Sequence, residues 1–260
     1  MPFTVATWNV NSVRARLTHV LNWLNDNPVD YLGLQETKTP DEHFPPELNA
    51  RESHPHLYLS GQKSYNGVAT FSTKPATPIT TQMHPEQDPQ KRFICTTHSD
   101  CHLVNLYIPN GAALESDKYA YKLTWLSQCL HFIDSLKKTT DRPIVVVGDF
   151  NIAPTDLDVH DPEIWQNRIL VSPPERAWFQ EVLDLGFYDS YRQHNPDTPG
   201  FSWWDYRAGG FRRNHGLRID FILATHDLQC THSWVDQTAR AASQPSDHAP
   251  AISTFDKQQH

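Results

Sequence analysis

The residues of this chain best suited to chemistry stand where apolar runs end. Trp8-Asn9-Val10-Asn11 closes the first run and Leu34-Gln35-Glu36-Thr37 the second, while Ile144-Val145-Val146-Val147 passes straight into Gly148-Asp149-Phe150-Asn151. Arg218-Ile219-Asp220 adjoins the apolar Phe221-Ile222-Leu223, and Ser246-Asp247-His248 precedes the final run. Taken singly, a strand-end Asp or Asn is ordinarily a turn or helix cap. Taken together, these pieces supply Asn, Glu, Asp-x-Asn, Asp and Asp-His, the hard oxygen ligands and acid/base pair of a divalent-metal phosphodiesterase. A phosphodiester is anionic and repels nucleophiles. Its hydrolysis needs positive charge on the phosphoryl oxygens, a deprotonated in-line water and help for the departing oxygen.

The elements that must position these groups are legible from hydrophobic period. Residues 3–10, 31–34, 68–71, 103–108, 144–147, 201–204, 219–223 and 251–255 read as strands bounded by turn formers. Leu17, Val20, Leu21 and Leu24 fit one face of a helix that closes at Asn27-Pro28. A second helix is predicted over 117–138, with Leu123, Leu126, Leu130 and Ile133 on its buried face and Lys137-Lys138 at its negative end. A third begins after Pro173-Pro174, carries Ala177, Phe179, Val182 and Leu183, and stops at Gly186. Strands and helices intermixed, with no Gly/Ser-rich linker, predict one α/β domain over 1–260, in which neighbouring strand ends converge on one edge.

Composition bounds the rest. No apolar run approaches the roughly 20 residues of a membrane helix, and no basic segment, apolar stretch and cleavage site precede the first strand. A soluble protein of the cytoplasm is expected. Cys95, Cys101, Cys129 and Cys230 are too dispersed for a Cys-x-x-Cys clip and read as reduced thiols, with a Cys95 to Cys101 bridge as the alternative. The net charge of -8 opposes binding of nucleic acid unless the acids gather at a cation and the bases ring it. Basic groups do gather at Arg14 and Arg16, at Lys91 and Arg92, and from Arg207 through Arg212, Arg213 and Arg218.

At the level of ordered motifs the chain resembles the exonuclease III / AP endonuclease family. The resemblance rests on Asn9, Gln35-Glu36-Thr37-Lys38, Tyr107-Ile108-Pro109-Asn110-Gly111, Gly148-Asp149-Phe150-Asn151-Ile152-Ala153-Pro154-Thr155-Asp156, Trp203-Trp204-Asp205-Tyr206-Arg207, Leu217-Arg218-Ile219-Asp220 and Ser246-Asp247-His248-Ala249-Pro250. It spans nearly the whole chain. It implies a four-layer α/β sandwich, two packed mixed β-sheets flanked by helices. It also implies a Mg²⁺-dependent hydrolase, with Mn²⁺ as substitute, that cuts double-stranded DNA at abasic sites or blocked 3′ ends and works as a monomer.

The same resemblance implies the roles. Glu36 chiefly holds the metal, with Asn9 and Asp247 contributing. Asp149 takes or orients the proton of the attacking water, and Asn151, which cannot ionise, positions the water or a phosphate oxygen. His248 lies against the phosphate with its far nitrogen bonded to Asp220, which favours imidazolium. Whether Asp149 or His248 is the base stays open at this level. Tyr107 donates its hydroxyl to phosphate, with a core tyrosine as the competing account. Trp203, Leu217 and Ile219 line a pocket for a flipped-out, base-free sugar, where core packing competes for Ile219. Arg212 and Arg213 track the DNA backbone, as does Arg14. Some relatives carry Asp where this chain has Asn11, so Asn11 is left out of the ligand set. The rivals are a superfamily phosphatase or sphingomyelinase with another head-group pocket, and a non-catalytic DNA-binding scaffold that retains the fold.

Overall fold

A computed structural model of the chain describes residues 2–49, 51–83 and 88–257. In chain order the elements are β1 (Phe3–Asn9), α1 (Leu17–Asp26), β2 (Tyr31–Gln35), β3 (His56–Ser60), β4 (Val68–Ser72), β5 (Ile79–Thr80), β6 (Phe93–Thr97), β7 (His102–Tyr107), α2 (Asp117–Lys138) and β8 (Ile144–Asp149). There follow α3 (Pro162–Trp165), α4 (Pro173–Asp184), β9 (Phe187–Asp189), α5 (Ser190–His194), β10 (Trp203–Trp204), α6 (Gly210–Arg213), β11 (Gly216–Leu217), β12 (Asp220–Thr225), β13 (Leu228–Val235), α7 (Gln237–Ala241) and β14 (Ala251–Lys257). One six-stranded sheet runs β13-β14-β1-β2-β4-β3 and a second β5-β6-β7-β8-β12-β9, with β10 and β11 forming a small ribbon.

Period 2 in the strands builds the layers. Val145 and Val147 of β8 turn inward and pack with Phe3, Val5, Tyr31, Leu103 and Ile222 between the sheets. Val146, one residue out of phase, turns outward with Val104, Leu106 and Leu223 beneath Trp125, Leu126 and Ile133 of α2 and Trp178 and Val182 of α4. On the far side Val20, Trp23 and Leu24 of α1 cover Trp8, Leu32, Leu34 and Phe71 of the first sheet. Truncating a fully buried side chain such as Ile133 to Ala removes about 2–5 kcal/mol of stability. The expected α/β sandwich with helices outside both sheets is the observed one. No helix of the described residues is long and apolar enough to cross a membrane. The four cysteines are free thiols.

Three expectations change in detail. The buried face of α2 carries Tyr119, Lys122, Trp125, Leu126, Cys129 and Ile133, so Leu123 and Leu130 lie at its margins. The helix rolls toward the two large aromatic rings, and a lysine goes with them into the core. The 201–204 run is strand only at Trp203–Trp204, because Ser202 leaves the ribbon to bond backbone groups of Leu217 and Ala249. Strands β5, β9 and β11 are two or three residues long and β3 and β13 are sheet edges whose polar residues hide the alternation, so none shows a strand period; β6, interior and buried, is also absent from the predicted strands.

Candidate active site

Topology brings the polar strand ends to one pole. β1 and β2 are parallel with Asn9 opposite Gln35, which puts Glu36 directly beyond the sheet. β7 and β8 are parallel with Tyr107 opposite Asp149. β12 runs antiparallel to β8, so its first residue, Asp220, is the partner of Asp149. β14 runs antiparallel to β1, and the residues leading into it, Ser246-Asp247-His248, therefore arrive beside Asn9. The Ser246 hydroxyl donates to the Asn9 carbonyl at 2.6 Å and the Trp8 indole to the His248 carbonyl at 3.2 Å, pinning this segment. Backbone at the pole is bent: Glu36 has φ 51° and Asn151 φ 48°, in the left-handed region that asparagine tolerates better than glutamate. Gly148 is required outright, since a Cβ there would lie 1.9 Å from the Leu106 carbonyl oxygen.

His248 sits between two carboxylates. Its Nδ1 is 2.9 Å from Asp220 Oδ2 and its Nε2 is 3.7 Å from Asp149 Oδ2. Burial alone would discharge the ring, but Asp220 and Asp149 outweigh it and raise its pKa to about 10. The ring is an imidazolium at neutral pH. Asp220 Oδ2 is further fixed by the Ser202 hydroxyl at 2.6 Å, a contact no sequence signal marked. Burial raises the Asp149 carboxyl well above the usual carboxylate range, and the charges of Asp220 and Glu36 push the same way against His248 and Asn9. Asp149 thus titrates where a general base is useful. Asn151 bonds both Asp149 oxygens, its N–H to Oδ1 at 2.9 Å and its amide to Oδ2 at 3.2 Å, and it accepts from Asn110 at 3.0 Å.

Glu36 takes the centre of the pole. Its Oε1 accepts from the Asn9 amide and the Tyr107 hydroxyl, both at 2.9 Å, and its Oε2 pairs with Lys38 at 2.8 Å. Burial would raise its pKa, yet Lys38 and Asn9 hold it below the ordinary value. Asp247 is likewise kept ionised against its burial by His248, Trp203 and Asn11. Its Oδ1 accepts from Asn11 and its Oδ2 from the Trp203 indole, both at 3.0 Å. Burial and the Glu36 and Asp149 charges keep Tyr107 a neutral donor.

The residues present fit a hard divalent cation. The carboxylates of Glu36, Asp149, Asp220 and Asp247 crowd one pole, with His248 and Lys38 against them and Lys122, itself paired with Glu175, and Arg240 in their field; among the described residues the buried Asp220 Oδ1 has no hydrogen-bond partner. Asp149, Asp220 and His248 offer atoms within 4.8 Å of one another. An imidazolium at their centre repels a cation, however, so that trio is a proton-holding group. Glu36 and Asp247 line the same cavity as Asp149 and lie outside that trio. The NH₂ of Asn9 is needed between two carboxylates, Glu36 and Asp149, and its oxygen accepts from the Asn11 N–H at 3.0 Å.

A cavity of about 530 Å³ opens over these groups, lined by Glu36, Tyr107, Asn110, Asp149, Asn151, Asp247 and His248 and also by Trp165, Arg168, Ile169, Leu170, Trp203, Asp205, Arg207 and Ile219. Trp203 and Ile219 reach it as expected. Leu217 does not: it pairs with Trp203 across the ribbon and is buried in a cluster with Val159, Leu170 and Ile219. Arg212 and Arg213 are exposed on α6 outside the cavity wall. Arg14 is exposed and donates to the His43 carbonyl at 2.9 Å. Arg218 leaves the basic rim altogether, being buried in ion pairs at 2.7 Å with Asp158 and with Asp189. Arg207 is paired with Asp205, whereas Arg168 has no carboxylate partner among the described residues. Trp165 ends the one-turn helix α3, and Arg168 and Leu170 lie in the irregular segment after it, where no periodicity announces them.

This geometry agrees with the comparisons to known proteins. Residues 6–248 match the model of the endonuclease/exonuclease/phosphatase family. The chain is 34% identical to exodeoxyribonuclease III of Haemophilus influenzae, covering 96% of this chain and 98% of that one. Among solved structures it is similar to a 3′ phosphatase from Neisseria bound to a product DNA hairpin, at TM-score 0.94 and 42% identity over 98% of this chain and 99% of the other. It is also similar to an AP endonuclease from Archaeoglobus fulgidus, at TM-score 0.92 and 36% identity over the same shares of the two chains. With sequence, fold and relatives in agreement, the chain belongs to the endonuclease/exonuclease/phosphatase family and is a DNA-repair nuclease of the exodeoxyribonuclease III type.

Proposed function

We propose that this nuclease breaks the bond between phosphorus and a 3′ oxygen of double-stranded DNA, at blocked 3′ ends and on the 5′ side of abasic sites, leaving a 3′ hydroxyl in each case. The reading includes Mg²⁺ as cofactor with Mn²⁺ as substitute, and a monomeric, single-domain enzyme of the cytoplasm. The observation that carries it is the pair of unlike groups facing one cavity: a carboxyl with raised pKa, Asp149, and an imidazolium, His248, clamped by Asp220. Two neighbouring groups whose environments divide base from cation are what in-line phosphoryl hydrolysis uses.

Glu36 and Asp247 would hold the metal, whose charge, when bound, lowers the cost of placing more negative charge on the phosphate. Asp149 Oδ2 receives a proton of the attacking water, and Asn151 and Asn9 hold that carboxylate in place. His248 Nε2–H offers charge to a non-bridging oxygen, and Tyr107 adds a neutral hydroxyl. The apolar wall of Trp203 and Ile219 suits a sugar without a base, since a normal nucleotide must unstack before entering. Support for 3′-end work comes from the 42% identical 3′ phosphatase, and for abasic sites from the 36% identical AP endonuclease.

The test uses two duplexes, one ending in a 3′ phosphate and one holding an abasic analogue, each incubated with Mg²⁺, with Mn²⁺ and with chelator. Metal-dependent appearance of 3′ ends that a polymerase extends is expected from both. No extendable end from either duplex, with folded protein and Mg²⁺, overturns the reading.

A further inference from the structure

The most deeply buried charges outside the site belong to Lys122 of α2 and Glu175 of α4, whose side chains are both 0% exposed. Packing gives no reason for charge here, because the neighbouring buried residues of α2 are Trp125, Leu126 and Cys129. A buried ion pair is on average no more stabilising than apolar groups of the same volume. What sets this pair apart is what its two ends hold. Besides Glu175, the Lys122 ammonium donates to the carbonyl of Asn151 at 2.7 Å and of Asn110 at 3.3 Å. Glu175 Oε1 accepts from the Leu170 N–H at 3.0 Å, and Oε2 from the Ser172 N–H at 2.9 Å and its hydroxyl at 2.6 Å.

Asn151 and Leu170 share a second property. Both are non-glycine residues in the left-handed region, with φ 48° and φ 74°, and both line the cavity. Such conformations persist only where surrounding structure over-determines them. A further bond, from the Ala153 N–H to the Leu170 carbonyl at 2.6 Å, closes the circuit between the two loops.

We propose that the Lys122–Glu175 pair is a positioning device for the hydrolytic reaction: one desolvated ion pair fixes the backbones of Asn151 and of Leu170, adjoining segments of the cavity lining, and so sets the aim of Asn151 at Asp149. This inference rests on the hydrolytic reading above. Neither side chain touches substrate, so the pair acts through Asn151 and Leu170.

The test compares the parent enzyme with Lys122→Met, Lys122→Met/Glu175→Gln and Lys122→Arg. Turnover of a 3′-phosphorylated duplex under Mg²⁺ is measured on the natively folded fraction, beside thermal unfolding and the NMR signal of the Asn151 side-chain amide. The single Met variant strands a buried carboxylate and is expected to fold poorly. The double variant removes both charges and leaves a neutral amide oxygen to accept from the N-terminus of α4. Its expected result is a folded protein whose kcat is at least tenfold lower with KM changed less than threefold, and whose Asn151 amide signal has moved. The Arg variant keeps the charge and is expected to recover at least half of the lost logarithm of kcat. A folded double variant with kcat within twofold of the parent and an unmoved Asn151 signal overturns the proposal. So does failure of every variant to fold, which would make the pair purely structural. Absence of turnover in the parent itself would instead be a failure of the functional reading, and the Asn151 signal would still decide the positioning role.

Discussion

Asp220→Asn separates the charge of the His248 clamp from its shape. The substitution is nearly isosteric and leaves the β8–β12 pairing intact, but it removes the negative charge 2.9 Å from His248 Nδ1. A hydrogen bond to a charged group contributes about 1.5–3 kcal/mol. Conversion at about 1.4 kcal/mol per factor of ten gives a pKa fall of about one to two units for His248, so the ring stays charged at neutral pH and, if its charge is used, the alkaline limb of the cleavage profile moves down by the same amount. Asp149 remains 3.7 Å from the other ring nitrogen, which limits the fall. The assay has two arms: an NMR titration of the His248 ring, and single-turnover cleavage of a 3′-phosphorylated duplex at saturating enzyme with Mg²⁺. Both should move together. A His248 pKa lowered by a unit or more with the alkaline limb of the cleavage profile unmoved would show that the imidazolium charge is not used, and would refute the reasoning.

Other perturbations follow from the same structure. Gly148→Ala places a methyl 1.9 Å from the Leu106 carbonyl oxygen at φ +150° and is expected to cost more than about 4 kcal/mol or prevent folding, as urea denaturation will show. Arg168→Ala removes the cavity-lining arginine that has no carboxylate partner, and should raise KM with little change in kcat and reduce the salt slope of binding by about one. His98, buried against Tyr31, has its pKa lowered to about 4 from 6.5, chiefly by burial. The unfolded chain therefore binds a proton that the folded one excludes, and stability should fall as pH drops from about 6.5 toward 4. A His98→Gln variant should lose that part of the dependence in pH-resolved thermal melts.

Local sequence carried the polar ends of β1, β2, β8 and β12 because each stands beside an apolar run that must be a strand, and parallel or antiparallel pairing then leaves one pole for all of them. Their convergence needed only topology. The direction of individual polar groups was not legible. Asn9 reads as an oxygen donor, but two carboxylates on either side require its NH₂ between them. Arg218 reads as one more exposed base in a basic run, yet its partner Asp158 is 60 residues away and draws it inside. Lys122 is hidden for the same reason: its companion Glu175 lies 53 residues on, in another helix. Trp165 closes the four-residue helix α3 and Arg168 the turn after it, elements too short to carry a period. The family resemblance implies a place for Leu217 in the pocket wall, whereas its ribbon pairing sends it into the core.

The most direct test of the account is Asp149→Asn, assayed by single-turnover cleavage of the 3′-phosphorylated and abasic duplexes in Mg²⁺ beside a measurement of DNA affinity. The substitution retains an acceptor oxygen but no group that takes a proton near neutrality. The account expects binding within a few-fold of the parent and cleavage of both duplexes reduced by roughly 10²–10⁴. Cleavage within tenfold of the parent would contradict the assignment of Asp149 as the base and return that role to His248.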